Sequence, residues 1–553
     1  MEKILLVGIN SQYIHTNLAI RYLKSYVEKY SDKKIEIYES NINNQLLNII
    51  RDIFEKNPTM IIFSTYIWNK EFVFKIISEL RKILPDVKIV LGGPEVTYNP
   101  EEIIEENPVI DYLLIGEGER VILNFLTKDI SEIKGVFYKD KNTKNIKYNG
   151  PENPIENLDE IPFPYSLEEL KEQNKILYYE SSRGCPFSCS YCLSSIDRGV
   201  RYFSLERVKE DLKIFLDNGI ELIKFVDRTF NLRKDRYLGI WQFLLDNYKE
   251  GSTFHFEINA NIFDEEVIEF LRKVPKGYFQ FEIGVQSINE DTMASINRRN
   301  LLERLAYNVK EITKNIHLHL DLIAGLPYDT YERFKKSFDY VHNLKPEMVQ
   351  LGFLKILKGT KISTELDMYN YKYVEFPPYE ILENEFISYE ELCRLKNVEK
   401  VLDYYYNSEK FKFTLEFILE NFYSSPFDFY EEISEFYKKK NYIDIGHKEI
   451  NIFNYLVEFY IEKNFSKYEI FIEYLKYDYL LIRKPGAYPE WFKSEKDKDK
   501  YLEILQVKNY NSNREGFKKT EIEKFTYNIF TKENEIINIF FEYGKQETKT
   551  TVY

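Results

Sequence analysis

Cysteine is scarce in this chain: only four of its 553 residues are cysteine, and three of them lie within eight positions. A disulfide framework would need more cysteines, and an odd cluster in a chain with few others points to a reducing compartment. The amino-terminal residues do not have the polarity pattern of a signal peptide. We therefore expect a cytoplasmic protein in which disulfides carry no structural role.

Long apolar runs and an excess of positive charge are also missing. No apolar run approaches the roughly 18 residues that a membrane span needs. The formal net charge is −14 at pH 7, whereas proteins that bind nucleic acids generally carry a basic surface. These absences argue against a membrane span and against a nucleic-acid partner. At about 100 to 200 residues per domain, the length favours three domains.

The three clustered cysteines are the most informative feature of the sequence. Cys185, Cys189 and Cys192 lie in the run Arg-Gly-Cys-Pro-Phe-Ser-Cys-Ser-Tyr-Cys, just after an apolar run at 176–179. Their spacing lets three thiolates bind a cubic iron–sulfur cluster and leaves the fourth iron without a protein thiolate. A structural zinc site would need a fourth ligand, usually from a second Cys-x-x-Cys pair, which the sequence lacks. The alternative is three ordinary buried cysteines, and Cys393 is interpreted as a core residue.

The chain before these cysteines alternates strand and helix patterns. Strands are predicted at 3–7, 35–38, 60–64, 87–91 and 112–115, with helical patterns between them. This alternation predicts a Rossmann-like, doubly wound parallel sheet over residues 1–125, and ligands of such sheets bind at the carboxyl ends of the strands. Residues 126–175 are predicted to be a polar connector that contains a hairpin.

Two further domains are predicted after the connector, and the whole chain is assigned to the α/β class. Residues 176–365 contain strand patterns at 176–180, 222–226, 254–258, 279–283, 317–323 and 348–354. Amphipathic helices separate them, which predicts a partial (β/α)6 TIM-type barrel with its chemistry at the carboxyl ends of the strands. Residues 366–553 are predicted to form a mostly α-helical carboxyl-terminal domain, with a helix over 379–397 and a frayed end after residue 544.

Four polar residues lie inside or at the ends of the apolar barrel strands: Asp227, Glu257, Gln286 and Asp321. Burying a carboxylate is costly unless the group is paired or hydrogen-bonded. Such residues usually face a ligand, although each of them could instead be a salt-bridged or capping side chain. His255, His317 and His319 also lie on predicted strands and are interpreted as core or supporting residues.

The cysteine loop resembles that of the radical S-adenosylmethionine (SAM) enzymes, whose Cys-x-x-x-Cys-x-x-Cys motif it matches at every position. In that family the open iron binds the amino and carboxylate groups of SAM, and an electron cleaves SAM to a 5′-deoxyadenosyl radical. The resemblance implies a [4Fe-4S] cluster held by Cys185, Cys189 and Cys192. It also implies that Tyr191 lies beside the adenine of SAM.

Three further phrases resemble the radical SAM subgroup that contains oxygen-independent coproporphyrinogen oxidase and the methylthiotransferases: Ile283-Gly-Val-Gln-Ser, Ile296-Asn-Arg and Asp321-Leu-Ile-Ala-Gly-Leu-Pro. Carried over by motif, Glu257 would bind the ribose hydroxyls of SAM, and Gln286 and Asp321 would line its site. Arg298 would pair with the SAM carboxylate, a role that suits a guanidinium. Asp227 is assigned to the same site, although a different sequence replaces the glycine-rich loop that many relatives have there.

The first 125 residues resemble the cobalamin-binding domain of cobalamin-dependent radical SAM enzymes. The resemblance rests on Gly92-Gly-Pro-Glu-Val-Thr and on Asp111-Tyr-Leu-Leu-Ile-Gly-Glu-Gly-Glu. It implies a cobalamin site at the strand ends that includes Ser64, Thr65, Gly92, Gly93 and Glu117. His15 lacks the aspartate and glycine of the D-x-H-x-x-G motif. We therefore expect no histidine on the lower face of cobalamin, and the nucleotide tail in the groove of the sheet.

These resemblances together imply an enzyme that cleaves SAM reductively and transfers a methyl group to an unactivated carbon through cobalamin. The expected partners are a small-molecule or peptide substrate and an electron donor such as flavodoxin or ferredoxin. Two alternatives stay open: a radical cyclase or rearrangement enzyme without methyl transfer, and a cobalamin or iron–sulfur sensor. The carboxyl-terminal domain resembles an uncharacterised domain of such proteins and indicates no substrate.

The cysteine assignment predicts the metal content of one variant. Cys185→Ala should lose its iron and keep its cobalt after anaerobic reconstitution, because only the cluster would depend on this thiolate. Cys393→Ala is the matched control and should keep both metals. Iron and cobalt are counted per chain by mass spectrometry. Normal iron in Cys185→Ala would contradict the assignment.

Overall fold

The computed structural model describes residues 2–140, 143, 145–172, 174–196, 199–299, 301–508, 513–544 and 547–553. The chain divides into two compact units, one of Met1–Thr330 with Gly352–Ile387 and the other of Tyr331–Leu351 with Ser388–Tyr553. Among the described residues, no helix combines the length and the apolar character that crossing a membrane requires.

The first unit begins with a seven-stranded sheet in the order β2-β1-β3-β4-β5-β6-β7. Its strands are β1 (Ile4–Asn10), β2 (Ile35–Asn41), β3 (Met60–Ser64), β4 (Lys88–Gly92), β5 (Tyr112–Leu114), β6 (Val136–Lys139) and β7 (Ile146–Tyr148). Strands β1 to β5 pair in parallel, and the predicted hairpin adds β6 and β7 as antiparallel strands. The helices are α1 (Leu18–Tyr30), α2 (Leu46–Glu55), α3 (Lys70–Ile83), α4 (Pro94–Thr97), α5 (Pro100–Glu106) and α6 (Gly118–Thr127).

Both faces of this sheet are buried. Alternate residues of β1 belong to two different apolar clusters: Leu5 and Val7 lie in one, and Ile4 and Leu6 lie in the other. A parallel strand that is buried on both faces has a continuous apolar sequence, which is why β1 and β3 could be predicted from composition alone. The doubly wound fold expected here is confirmed, and it places the carboxyl ends of β1, β3, β4 and β5 at one edge.

The second sheet of this unit has the order β15-β14-β13-β12-β11-β8. Its strands are β8 (Leu177–Tyr179), β11 (Leu222–Phe225), β12 (Thr253–Glu257), β13 (Phe279–Gln286), β14 (His317–Ala324) and β15 (Met348–Phe353), and β9 (Ser182–Arg183) and β10 (Arg201–Tyr202) form a separate ladder. The intervening helices are α7 (Leu205–Asp217), α8 (Lys234–Asp246), α9 (Glu265–Leu271), α10 (Glu290–Ser295) and α11 (Leu302–Ile312). A short hairpin, β16 (Lys372–Tyr373) and β17 (Ile381–Glu383), follows β15. The partial barrel is therefore confirmed.

The second unit is helical and ends in a small sheet. It contains α12 (Tyr331–Asn343), α13 (Tyr389–Tyr405), α14 (Lys412–Phe422), α15 (Pro426–Lys439), α16 (Glu449–Glu462), α17 (Tyr468–Ile482), α18 (Lys498–Val507) and α19 (Asn513–Lys519). The antiparallel strands are β18 (Thr520–Phe525), β19 (Ile537–Tyr543) and β20 (Thr548–Val552).

Two sequence expectations about this region were wrong. The helix predicted over 379–397 begins only at Tyr389, because Ser388 and Glu391 form a capping box that starts it. The end predicted to fray after residue 544 contains β20, whose backbone pairs with β19 between residues 548 and 552. Backbone pairing of this kind does not depend on apolar side chains, and the polar sequence therefore concealed it.

A buried carboxylate in the second unit predicts a pH effect on stability. Asp478 on α17 accepts hydrogen bonds from the Thr414 backbone N–H (2.7 Å) and hydroxyl (2.6 Å) at the start of α14. Burial raises the pKa of Asp478 to about 7, although these hydrogen bonds act in the opposite direction. The folded protein therefore binds this proton more tightly than the unfolded chain does.

Because the folded pKa lies above the unfolded value, the contribution of Asp478 to the free energy of unfolding should fall as pH rises through the interval from about 4 to 7. Asp478→Asn cannot titrate there. The difference in unfolding free energy between wild type and Asp478→Asn should therefore decrease between about pH 5 and pH 8. Chemical denaturation at both pH values measures it, and a difference independent of pH would contradict the assignment.

Candidate active site

The cysteine loop is closed at its base by a short antiparallel ladder. Strands β9 and β10 pair with Arg183 opposite Arg201, and the loop between them carries all three clustered cysteines. Gly184 opens the loop with φ of +95°, and a Cβ at this position would lie 2.2 Å from the Gly199 carbonyl oxygen. Only glycine allows the two ends of the loop to approach so closely.

A half-buried arginine contacts the loop from the segment after β13. The Arg298 guanidinium donates to Cys189 Sγ at 3.9 Å and to the Tyr191 hydroxyl at 3.4 Å. Its other nitrogen donates to the Gly284 carbonyl at 2.5 Å, which fixes its direction. Burial raises the pKa of the Cys189 thiol, whereas the positive charge of Arg298 favours the thiolate.

The three cysteines suit a cluster better than a single ion. The described residues contain no group of three His, Cys, Asp or Glu side chains arranged around one metal ion. In a cubic cluster each thiolate binds its own iron, so the sulfurs do not have to converge on one point. Cys185 and Cys189 are buried, Cys192 is half-buried, and the sulfurs interact electrostatically. These residues therefore fit a cluster with one open iron.

The carboxyl ends of β12, β13 and β14 bring together three of the residues assigned to SAM. Glu257 ends β12, Gln286 ends β13, and Asp321 lies on β14 beside Gly284 of β13. Gln286 Oε1 and Asp321 Oδ1 are buried and have no hydrogen-bond partner within the described part of the chain. Burial, and next the charge of Glu282, raises the pKa of Glu257 to about 7 and that of Asp321 well above its usual range. Buried acceptors of this kind favour a polar ligand.

Asp227 has a different environment from this group. It follows β11 and accepts hydrogen bonds from the Ser181 backbone N–H (2.9 Å), the Ser181 hydroxyl (2.7 Å) and the Ser182 hydroxyl (2.5 Å). These contacts occupy both carboxylate oxygens and fasten the chain just before the cysteine loop. The geometry gives Asp227 a role in holding the loop, and its assignment to SAM stays a prediction.

The inner face of the barrel is polar, which sequence reasoning missed. Glu282 accepts hydrogen bonds from Lys224 and His255, each at 3.1 Å, and His319 lies 2.6 Å from Gln280. Burial would raise the pKa of Glu282, but His255 and Lys224 outweigh it and lower the pKa to about 2. The signal was present as an alternation of polar and apolar residues, which covers β12, the first half of β13 and β14 up to Leu322. Barrel interiors are normally filled by branched apolar side chains, so this polar face is exceptional.

The residues assigned to cobalamin lie at the carboxyl ends of β3 and β4. Thr65 follows β3, and its backbone N–H donates to the Gly92 carbonyl at 2.7 Å. Gly93 has φ of +110°, and a Cβ there would lie 2.6 Å from the Thr65 carbonyl oxygen. Ser64 accepts a hydrogen bond from Asn17 at 2.9 Å, whereas Thr65 Oγ1 is buried and unpartnered among the described residues. A close backbone approach beside an unpaired hydroxyl fits a bound polar ligand.

Two other predicted residues face the barrel domain. His15 Nδ1 lies 2.7 Å from the Tyr178 hydroxyl of β8. This hydrogen bond occupies one nitrogen of the His15 ring. The Glu117 carboxylate pairs with Arg201 and lies 3.6 Å from Arg183. It also accepts from the Ile155 backbone N–H at 3.1 Å. The structure thus brings Glu117 to the base of the cysteine loop, and its assignment to cobalamin stays a prediction.

A doubly wound sheet joined to a partial barrel with a three-cysteine loop defines the class of protein, and comparison with protein families agrees. The "B12 binding domain" matches residues 4–126, the "Radical SAM superfamily" matches residues 179–341, and a "Protein of unknown function (DUF4080)" matches residues 367–541. The chain therefore carries a B12-binding domain followed by a radical SAM domain, which confirms its resemblance to the cobalamin-dependent radical SAM enzymes.

Several proteins of other organisms match the chain at low identity. An uncharacterised methyltransferase of Pyrococcus horikoshii is 28% identical over 363 residues, covering 62% of this chain and 77% of the relative. An anaerobic magnesium-protoporphyrin IX monomethyl ester cyclase of Rubrivivax gelatinosus is 24% identical over 291 residues. That match covers 48% of this chain and 51% of the cyclase, so the chain spans only about half of this relative.

The solved structure of OxsB, a cobalamin-dependent SAM radical enzyme with aqua-cobalamin and SAM bound, has a similar fold. The TM-score is 0.61 at 18% identity, and the match covers 94% of this chain and 81% of OxsB. At this identity the likeness concerns the fold.

The crowding at Gly284 predicts an effect on SAM binding, given the assignment of Gln286 and Arg298 to SAM. A Cβ on Gly284 would lie 2.1 Å from Gln286 Nε2 and 3.2 Å from an Arg298 nitrogen. Gly284→Ala should displace both side chains and weaken SAM binding by about tenfold or more, while the iron content is retained.

Equilibrium dialysis with labelled SAM, after iron has been counted, measures this effect. Gly446→Ala is the control, because no atom lies within 4 Å of its added Cβ. Unchanged SAM affinity in Gly284→Ala would remove Gln286 and Arg298 from the proposed SAM site.

Proposed function

We propose that the chain is a radical SAM methyltransferase that binds a [4Fe-4S] cluster, SAM and cobalamin. One observation carries the proposal: a single compact unit holds the cysteine loop, the buried unpaired acceptors of the barrel strand ends and the unpaired Thr65 hydroxyl at the end of β3. When bound, the cluster supplies the electron that cleaves SAM to a 5′-deoxyadenosyl radical, and cobalamin supplies the carried methyl group.

The protein residues hold and orient these groups. Cys185, Cys189 and Cys192 would bind three irons, and Arg298, which contacts Cys189 and Tyr191, would pair with the SAM carboxylate. Glu257 would take the ribose hydroxyls of SAM, as a carboxylate beside two vicinal hydroxyls can. Gln286 and Asp321 would complete that site with Tyr191 beside the adenine.

For cobalamin we propose contacts from Ser64, Thr65, Gly92 and Gly93, without a histidine ligand to cobalt. Glu117 is left out of this set, because Arg201 and Arg183 already neutralise its carboxylate. The engagement of His15 with Tyr178 supports the absence of a histidine on the lower face.

The polar inner face of the barrel supports a hydrogen-bonding substrate, either a small molecule or a peptide. Methyl transfer to an unactivated carbon is favoured by the methyltransferase relative. A radical cyclisation without methyl transfer is the second candidate, favoured by the name of the cyclase relative. A sensor is disfavoured, since it would have no use for SAM-cleaving chemistry. The cytoplasmic location and the flavodoxin or ferredoxin donor stay predictions.

Product analysis tests the proposal. The reconstituted protein, given SAM and a strong reductant without oxygen, should form 5′-deoxyadenosine and S-adenosylhomocysteine, both measured by liquid chromatography and mass spectrometry. 5′-Deoxyadenosine alone would favour the cyclase. Neither product, with iron and cobalt fully bound, would contradict an enzyme and favour the sensor.

A further inference from the structure

Two arginines flank the cysteine loop as cross-strand partners. Arg183 ends β9 immediately before Gly184, and Arg201 begins β10 directly after the loop. The two residues lie opposite each other in the β9–β10 ladder, so their side chains project from the same face. Any group that binds both guanidinium groups therefore holds both ends of the cysteine loop at once.

The groups that bind them come from the amino-terminal sheet. Arg183 donates to the two carboxylate oxygens of Glu119 at 2.5 Å and 3.2 Å. Arg201 donates to both oxygens of Glu117, one of them at 3.2 Å, and also to the Ile155 carbonyl. Glu117 is the N-cap residue of α6, and Glu119 lies in the first turn of this helix. Both arginine–carboxylate contacts are bidentate, which fixes orientation as well as distance.

The Arg183–Glu119 pair is largely buried, which separates it from an ordinary surface ion pair, whereas the side chains of Arg201 and Glu117 are 24% and 25% exposed. The side chain of Arg183 is 13% exposed and that of Glu119 is 6% exposed. Arg183 also donates to Glu180 at 2.8 Å, and its guanidinium lies 5.7 Å from the centre of the Tyr22 ring. Buried ion pairs add little net stability compared with apolar packing, but they specify one geometry. The apolar clusters of the sheet already hold the amino-terminal domain together.

We propose that Arg183 and Arg201 are positioning residues, which clamp both ends of the cysteine loop to Glu117 and Glu119 and so set the loop against the cobalamin-binding domain. We call these four residues the arginine clamp. Its value to the reaction rests on the proposed function, because transfer between two bound cofactors depends on their relative position. The cysteines hold the cluster in either case, so loss of the clamp should leave SAM cleavage largely intact.

Three substitutions test the clamp in the whole, anaerobically reconstituted chain. Glu119→Gln and Arg201→Gln each remove one charge, one from the acidic side and one from the basic side, and keep hydrogen-bonding capacity. Arg201→Lys keeps the charge but loses the bidentate geometry. Arg272→Gln is the matched control, since Arg272 also pairs with carboxylates in the same unit but is exposed.

The first readout is hydrogen exchange at Ser190 and Cys192, whose backbone N–H groups are hydrogen-bonded to Ile296 and Cys189. Exchange at these two amides should be about tenfold faster in Glu119→Gln and Arg201→Gln than in the wild type and in Arg272→Gln. The midpoint of global unfolding should stay unchanged. The second readout is the ratio of S-adenosylhomocysteine to 5′-deoxyadenosine. It should fall by about tenfold or more while 5′-deoxyadenosine formation changes by less than about threefold. Arg201→Lys should lie between wild type and Arg201→Gln in both readouts.

Wild-type exchange and a wild-type product ratio in both Gln variants would overturn the proposal. It would also be overturned by changes that only accompany a lower unfolding midpoint, because these would indicate a purely structural ion pair. If the wild type forms no 5′-deoxyadenosine, the proposed function fails, whereas the exchange measurement still decides whether the clamp positions the loop.

Discussion

Parallel strands place all their carboxyl ends at one edge of a sheet, and both sheets of the first unit depend on this constraint. In the amino-terminal sheet it brings Thr65 and Gly93 together, and in the barrel it gathers Glu257, Gln286 and Asp321. Residues far apart in sequence become neighbours because every crossover returns the chain to the same edge. The cysteine loop begins at the equivalent position after β8, and the chemistry of the cluster and of SAM would therefore share one edge.

Two carboxylates on neighbouring barrel strands, Glu282 and Glu257, have opposite pKa shifts although both are partly removed from solvent. Glu282 is ion-paired with Lys224 and hydrogen-bonded to His255, which lower its pKa to about 2. Glu257 lies opposite Glu282 in the strand register, and burial, followed by the charge of Glu282, raises its pKa to about 7. Glu282 is thus satisfied by the protein itself, whereas Glu257 and Asp321 would gain from a polar ligand. This difference supports assigning Glu257 and Asp321 to the SAM site and Glu282 to the polar inner face of the barrel.

The sequence was informative wherever a feature is local. Alternation and apolar runs predicted the strands of both sheets, and the cysteine spacing identified the loop. Partnerships across long separations were not visible: Glu117 and Arg201 are 84 residues apart, and Asp227 reaches back 46 residues to Ser181. Their pairing depends on how the amino-terminal sheet and the barrel are joined, which no local pattern records. The inward polar residues were missed for another reason, because their period of two was treated as a set of separate exceptions.

The central claim is that one chain carries both an iron–sulfur cluster and cobalamin. Anaerobic reconstitution of the wild-type protein with iron, sulfide and hydroxocobalamin, followed by metal counting and an ultraviolet–visible spectrum, tests it most directly. The account predicts about four irons and about one cobalt per chain, with absorption from both groups. About four irons without cobalt would contradict the cobalamin assignment, and cobalt without iron would contradict the radical SAM chemistry.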